Sequence, residues 1–277
     1  MDLTLLSDNN TLIDRYFLGE PGFSAYIEDR DVRILFDVGY SGIFIANAQK
    51  MDIRLDRLDY VALSHGHMDH TWGLDALVRL FAEMDIERIP HARPKIVAHP
   101  KTFASVSAKG FKELGPLFSE GKLGKHFDLQ LKKGPQWLGE RIVYLGQIPR
   151  ENTFEGKNGF GRKENEVEED FVVEDSGLVY RGEEGLIIVT GCAHSGICNI
   201  IEYAKTICDE VRISDVVGGF HLQNPPEEQL SGTMRYFSAL NAPRIHPCHC
   251  TDLRSKIALS KVVSIEEAGV GMKLRYA

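Results

Sequence analysis

The chain has 277 residues, 43 % apolar and 26 % charged, with a formal net charge of −8. That is enough chain for one large folded unit. The acidic balance argues against a general nucleic-acid binder, which needs a basic face to neutralise phosphates, but it leaves open an anionic small-molecule substrate, because bound metal can dominate the potential of a pocket.

No apolar run approaches the length of a membrane span. The opening MDLTLLSDNN lacks the basic-then-apolar pattern of a secretory leader. The five cysteines are odd in number and lie in the last third, a poor disulfide framework that fits a reducing compartment. The expected location is therefore the cytoplasm, with a small-molecule partner and neither nucleic acid nor membrane. Nothing in the sequence sets an oligomeric state.

In chain order, residues 3–9, 23–29 and 31–39 read as short strands, the last (DVRILFDVG) running out at Asp37. A helix is predicted over 41–50, a buried strand over 57–65, a helix over 71–84 with apolar residues at helical spacing, and a strand over 94–100. Residues 100–135 read as helix and loop, and 139–149 as a strand. The segment 156–177, GKNGFGRKENEVEEDFVVEDSG, is acidic and glycine-punctuated, which predicts a mobile surface loop or lid. Its GKNGFGR stretch follows no strand and opens no helix, so it is not read as a phosphate-cradling loop. A hairpin over 177–191, a helix over 194–208, a strand over 213–220, a helix over 226–240 and a last strand over 244–250 complete an α/β pattern with two similar halves.

The chemistry concentrates in residues 64–70, SHGHMDH. His65 and His67 leave a strand two residues apart, so their side chains can point to the same side. Asp69 and His70 fall at the first turn of the following helix. One loop can thus aim two imidazoles at one point and a carboxylate plus an imidazole at a neighbouring point. Such donors suit zinc first, and also manganese or iron.

SHGHMDH resembles the HxHxDH signature of the metallo-β-lactamase superfamily, and the flanking ILFDVG and TWGL resemble the segments on either side of it. The resemblance implies an αββα sandwich, two mixed sheets flanked by helices, as one domain over 1–277 with a variable insertion or lid at about 100–175. It also implies two divalent metal ions at one edge of the sandwich, with Asp37 orienting metal-site groups from behind.

Later strand ends offer the other ligands: Cys192 and His194 in TGCAHSG, His221 in GGFHL, and His246, Cys248, His249 and Cys250 in HPCHCTD. TGCAHSG is similar to the family's Gly-Asp turn with Cys192 in the aspartate's place, and no Gly-His-Thr turn stands between His70 and Cys192. The reading is that His194 joins His65 and His67, while Asp69, His70 and His249 form the second site. Cys192 either bridges the two or packs beside them. His221 is ranked first as a catalytic or substrate group, with a role as last ligand in place of His249 as the alternative.

Together with GQIPRENTFE, these motifs resemble the pterin-arylamine condensing subgroup of the family, which implies that Arg150 and the acidic loop after it face the substrate. Cys198 and Cys208 fall at apolar helical positions and read as core. His91, His99, His126 and His246 read as surface or structural residues.

Three functions are expected from this pattern. The first is a metal-dependent hydrolase acting on a phosphorylated or phosphodiester-like small molecule, with Asp69 orienting the water and His221 as acid. The second is a pterin-arylamine condensing transferase, with Phe160, Phe171, Phe220 and Trp72 as aromatic linings. The third is a non-catalytic metal-containing sensor or binding protein.

Overall fold

Along Val32–Phe36, Ile34 and Phe36 enter one buried cluster while Leu35 enters another. Along Gly185–Thr190, Ile187 and Val189 join that first cluster, while Leu186 and Ile188 face a third. A strand turns successive side chains to opposite faces, so each of these strands lies in a sheet covered on both sides. The computed structural model, which describes residues 1–277, shows why.

The first half runs β1 (Asp2–Ser7), β2 (Ser24–Asp29), β3 (Val32–Phe36), α1 (Ile43–Lys50), β4 (Tyr60–Ala62), α2 (Met68–Thr71), α3 (Leu74–Glu87), β5 (Lys95–Ala98), β6 (Val106–Ser107), α4 (Glu120–Leu123) and β7 (Asp128–Leu131). The second half runs β8 (Gln136–Trp137), β9 (Ile142–Tyr144), β10 (Arg162–Lys163), β11 (Gly177–Gly182), β12 (Gly185–Thr190), α5 (Ile197–Cys208), β13 (Ile213–Gly219), α6 (Glu227–Leu240), β14 (His246–Cys248), α7 (Leu253–Leu259) and β15 (Lys273–Arg275).

Seven strands form one sheet in the order β15-β1-β2-β3-β4-β5-β7, and six form the other, β14-β13-β12-β11-β9-β8. Both are mixed: β3, β4, β5 and β7 run parallel, as do β12, β13 and β14, while the remaining pairs are antiparallel. The cluster between the sheets takes Phe23, Phe36 and Ala62 from one and Tyr144, Ile187 and Val217 from the other. On the outer face of the first sheet, α1 and α3 bury Phe44, Leu74, Leu77 and Phe81. On the outer face of the second, α5 and α6 bury Ile197, Ile200, Ile201, Ala204 and Phe237. The α5 positions recur at helical spacing, which is why this stretch forms an amphipathic helix. The result is the αββα sandwich expected from the resemblance. No helix is long and apolar enough to cross a membrane.

The interval 100–175 contributes β7 to the first sheet and β8 and β9 to the second. β7 falls within the region read as helix and loop. Its residues Asp128–Leu131 are only half-buried at a sheet edge, so they lack a clear apolar run. The acidic segment, exposed over 164–169, also carries a buried ion pair. β10 pairs with β6, and the Lys163 ammonium lies buried against both carboxylate oxygens of Asp170 at 2.6 Å and against Glu174 at 2.8 Å. Asp170 and Glu174 thus balance an interior cation within the segment.

Candidate metal centre

Several residues of the candidate site lie just beyond the C-terminal end of a strand that has a parallel neighbour. Asp37 follows β3, His65 follows β4, Cys192 follows β12, His221 follows β13 and His249 follows β14. In open α/β sheets this end is where crevices form and ligands bind. Here the two sheets present those ends to one another. Four non-glycine residues at this edge hold left-handed backbone conformations: Asp37 (φ 56°), Ala193 (φ 59°), His221 (φ 52°) and His249 (φ 50°). Such conformations are costly and persist where the surroundings impose them. Gly191 is obligatory for a different reason: a Cβ there would lie 2.1 Å from the Ser64 Oγ and 2.7 Å from the Asp37 Oδ2.

His65, His67 and His194 form a triangle with ring centroids 4.6–4.7 Å apart. The Nε2 atom of each is buried and has no hydrogen-bond partner. A buried polar atom left alone is costly, and three aimed together are the pattern a cation satisfies. Beside them, the His70 Nε2 lies 3.1 Å from the His249 Nε2 and 3.2 Å from the Cys192 Sγ. The Asp69 Oδ2 lies 3.2 Å from the His249 Nε2 and 3.6 Å from the His70 Nε2. The donor atoms of Asp69, His70, Cys192 and His249 all fall within 4.8 Å of one another, as do those of His65, Cys192 and His194. Cys192 belongs to both groups, the bridging place that the aspartate occupies in the resemblance. These donors fit two divalent ions, with nitrogen, carboxylate and thiolate ligands of the kinds zinc takes.

Supporting contacts set the tautomers. Asp37 accepts from the Ser64 amide (2.7 Å), the Ser64 hydroxyl (2.7 Å) and the His70 Nδ1 (2.7 Å), all buried. Because Ser64 donates its proton to Asp37, its oxygen accepts from the His65 Nδ1 at 2.9 Å. Both imidazoles therefore present Nε2 lone pairs to the cation positions. The Asn9 Oδ1 lies 3.3 Å from the His249 Nδ1, and the Asp8 Oδ1 accepts from the His249 amide at 2.9 Å. Ser64, Asp8 and Asn9 escaped the sequence reading. Ser64 could have been found from its place between a strand and the signature, whereas Asp8 and Asn9 meet His249 across 241 and 240 residues, with no local signal.

Burial pushes His65 and His194 well below the ordinary histidine range and His67 down to about 4. All three are neutral, ligand-ready imidazoles at neutral pH. At His249 burial works in the same direction, but the hydrogen bond to Asp69 outweighs it and holds the ring up at about 9. Burial would raise Asp69, yet the surrounding imidazoles hold it below the usual carboxylate range.

A cavity of about 650 Å³ opens above these groups. His67, Asp69, Cys192, His194, His221 and His249 face it, with Tyr40, Met68, Phe111, Leu114 and Phe160 on its walls. No lysine or arginine lines it. Tyr40 stacks on Trp72 (centroids 5.2 Å, 26°), and Phe160 meets His67 edge-on at 5.9 Å.

Arg150, expected to face the substrate, does not line this cavity: its guanidinium donates to the backbone carbonyls of Gly156, Phe171 and Val172, so its charge organises the acidic segment. Of the aromatic residues singled out, Phe160 lines the cavity and Trp72 backs Tyr40, but Phe220 is core and Phe171 is outside. His246 pairs with Asp215 at 2.9 Å inside the fold.

The Metallo-beta-lactamase superfamily model matches residues 18–207. The chain belongs to the metallo-β-lactamase superfamily. It is 32 % identical over 271 residues, 97 % of this chain and 98 % of the relative, to the uncharacterized protein MJ0448 of Methanocaldococcus jannaschii. It is 33 % identical over 259 residues, 87 % of this chain and 84 % of the relative, to the 7,8-dihydropterin-6-methyl-4-(beta-D-ribofuranosyl)-aminobenzene-5'-phosphate synthase of the same organism. Among solved structures it is similar to Tm1679, described as a metal-dependent hydrolase of the beta-lactamase superfamily (TM-score 0.82, 26 % identity, 99 % of this chain and 98 % of that one). The centre of this chain brings one thiol, Cys192, within reach of both donor groups, and two further strand-end residues, His221 and Cys250, line the same cavity.

Proposed function

We propose that this protein is a dinuclear metal-dependent enzyme that cleaves a phosphate ester or diphosphate bond of a small molecule, with hydrolysis as the first reading. The observation that carries it is the set of orphaned Nε2 atoms of His65, His67 and His194 beside the four-donor group Asp69, His70, Cys192 and His249. When bound, two divalent ions supply acidified water and charge neutralisation for a displacement at phosphorus.

The chain's own residues do the rest. His65, His67 and His194 would hold one ion and Asp69, His70 and His249 the other, with the Cys192 sulfur within reach of both groups. Asp69, partly open to the cavity, orients the attacking oxygen. His221 sits 4.3 Å from His194, ring to ring, on the cavity wall. Burial disfavours its charged form, but the neighbouring Cys250 sulfur outweighs that and raises its pKa. His221 thereby holds a proton for the leaving oxygen. Tyr40 and Phe160 shield the reacting groups and receive the organic part of the substrate.

A second reading is favoured by the aromatic walls of the cavity and by the named synthase relative. Here the same centre holds a diphosphate leaving group on a dihydropterin while an arylamine carbon displaces it.

Elemental analysis of protein loaded to two equivalents of zinc tests the ligand assignment. His194→Ala and His249→Ala each lose one equivalent, and His221→Ala keeps both while losing turnover. Loss of an equivalent in His221→Ala and none in His249→Ala would overturn it. Supplying pterin diphosphate and arylamine together separates the two chemistries: a joined product supports the transferase, and release of phosphate alone sinks it.

A further inference from the structure

Two donors at the cavity wall are not used by the two ion positions just described. Cys250 follows β14 and His221 follows β13, each after one intervening residue (His249 and Phe220), and the parallel pairing of these strands places Gly219 opposite Cys248. The His221 amide lies 3.3 Å from the Cys250 Sγ, and the Cys250 Sγ lies 3.3 Å from the Cys192 carbonyl. The isolated bridge between Leu222 and Thr251 holds the two chains together just beyond. The Cys192 Sγ, the Cys250 Sγ and a ring nitrogen of His221 all lie within 4.8 Å of one another. The His221 Nδ1 is buried and has no partner. Gly219 makes the approach possible, since a Cβ there would stand 2.6 Å from the Cys250 Sγ and 3.2 Å from the Cys192 Cα.

We propose that Cys192, His221 and Cys250 form a third cation position, a sulfur-rich site that takes thiophilic ions such as Zn²⁺, Cd²⁺ or Cu⁺ and rejects Mn²⁺ and Mg²⁺. Tetrahedral zinc with two sulfurs and one nitrogen sets its ligand atoms roughly 3.5 Å apart, a small side-chain adjustment from the arrangement present. Soft thiolate donors select against hard, oxygen-seeking ions. All three residues line the cavity, so the fourth coordination place opens toward substrate space. The site shares Cys192 with both other positions. Its occupancy therefore draws on the sulfur that links them and engages the imidazole that, on the reading above, carries the leaving-group proton. Thiophilic cations in excess inhibit turnover by this route.

The test titrates Cd²⁺ into the full-length protein, following sulfur-to-cadmium charge-transfer absorbance and the bound metal after desalting. Wild type takes up three equivalents, the third bringing added charge-transfer absorbance and protecting Cys250 from alkylation. Cys250→Ser stops at two, and Mn²⁺ never exceeds two in either protein. Uptake that stops at two in wild type, or an unchanged third equivalent in Cys250→Ser, overturns the proposal. Should Cys250→Ser fail to fold, alkylation of Cys250 in the wild-type protein decides alone, and modification at the same rate with and without Cd²⁺ refutes the site. The two-metal reading fails separately, when His65→Ala and His249→Ala retain the first two equivalents.

Discussion

The Asp37 Oδ2 and the His70 Nδ1 meet at 2.7 Å with neither side chain exposed to solvent. The same carboxylate fixes Ser64, which in turn fixes His65. One buried aspartate thus orients a donor in each of the two donor groups. Asp37→Ala should lower affinity at both positions by about 10–100-fold, the usual effect of losing a group that orients metal ligands. Competition against a chelator measures this. Asp37→Asn, which keeps the shape and one acceptor, should recover part of the loss, and equal affinity in all three proteins would count against the role.

The histidines give the metal-free protein a two-sided pH dependence. His67 is held down at about 4 against 6.5, so the unfolded chain takes up its proton first as pH falls. Stability is lost between pH 6.5 and 4, by about 3 kcal/mol for this group at 1.36 kcal/mol per unit. His65 and His194 act in the same direction. His249 is held up at about 9, so its contribution is full below 6.5 and disappears as pH rises through 9. Urea midpoints of chelator-treated protein should peak near pH 6.5. His67→Ala should flatten the acid limb and His249→Ala the alkaline one, whereas a steady rise from pH 5 to 9 would contradict the assignment.

Lys163 is the anchor of the segment that carries Phe160 to the cavity. Its ammonium and both partner carboxylates are at most 4 % exposed. Lys163→Met leaves Asp170 and Glu174 buried without a counter-charge, a change that typically costs about 3–5 kcal/mol. Urea unfolding and limited proteolysis within 156–176 should both report it. Because the candidate metal ligands lie elsewhere, bound metal per folded protein should stay at the wild-type value.

Tyr40, backed by Trp72, offers a flat ring on the cavity wall. If it receives a planar ring, Tyr40→Ala should raise KM for aryl phosphates roughly 2- to 12-fold, the equivalent of about 0.5–1.5 kcal/mol for an aromatic contact. Alkyl phosphates should show little change, and kcat should hold for both. Equal losses for alkyl and aryl substrates would argue against stacking.

Much of the sandwich was legible in the sequence because its strands are buried apolar runs and its main helices have one apolar face. The cluster His65 to His70 was legible because four donor residues fall within six positions. His194, His221 and His249 were visible as histidines at strand ends, since a strand end is where a side chain can reach a cleft. What stayed hidden depends on the distant partner. Asp8 and Asn9 gain meaning only when β1 lies beside the end of β14. Lys163 looks like a surface lysine in an acidic run until β10 pairs with β6. Arg150 was placed by resemblance, and its guanidinium is instead taken up by carbonyls of its own loop. β7 was missed because an edge strand need not be apolar on either face.

The four-donor group draws Asp69 and His70 from the segment after a strand of one sheet and Cys192 and His249 from segments after strands of the other. Binding there is therefore also a cross-brace between the two halves of the fold. A ligand at a thousand times its dissociation constant adds about 4 kcal/mol to folding stability, a large share of what a domain usually has. A cell short of the ion would hold a looser protein, more open to proteolysis and cleared sooner. The abundance of the protein would then follow metal supply with no change in its synthesis.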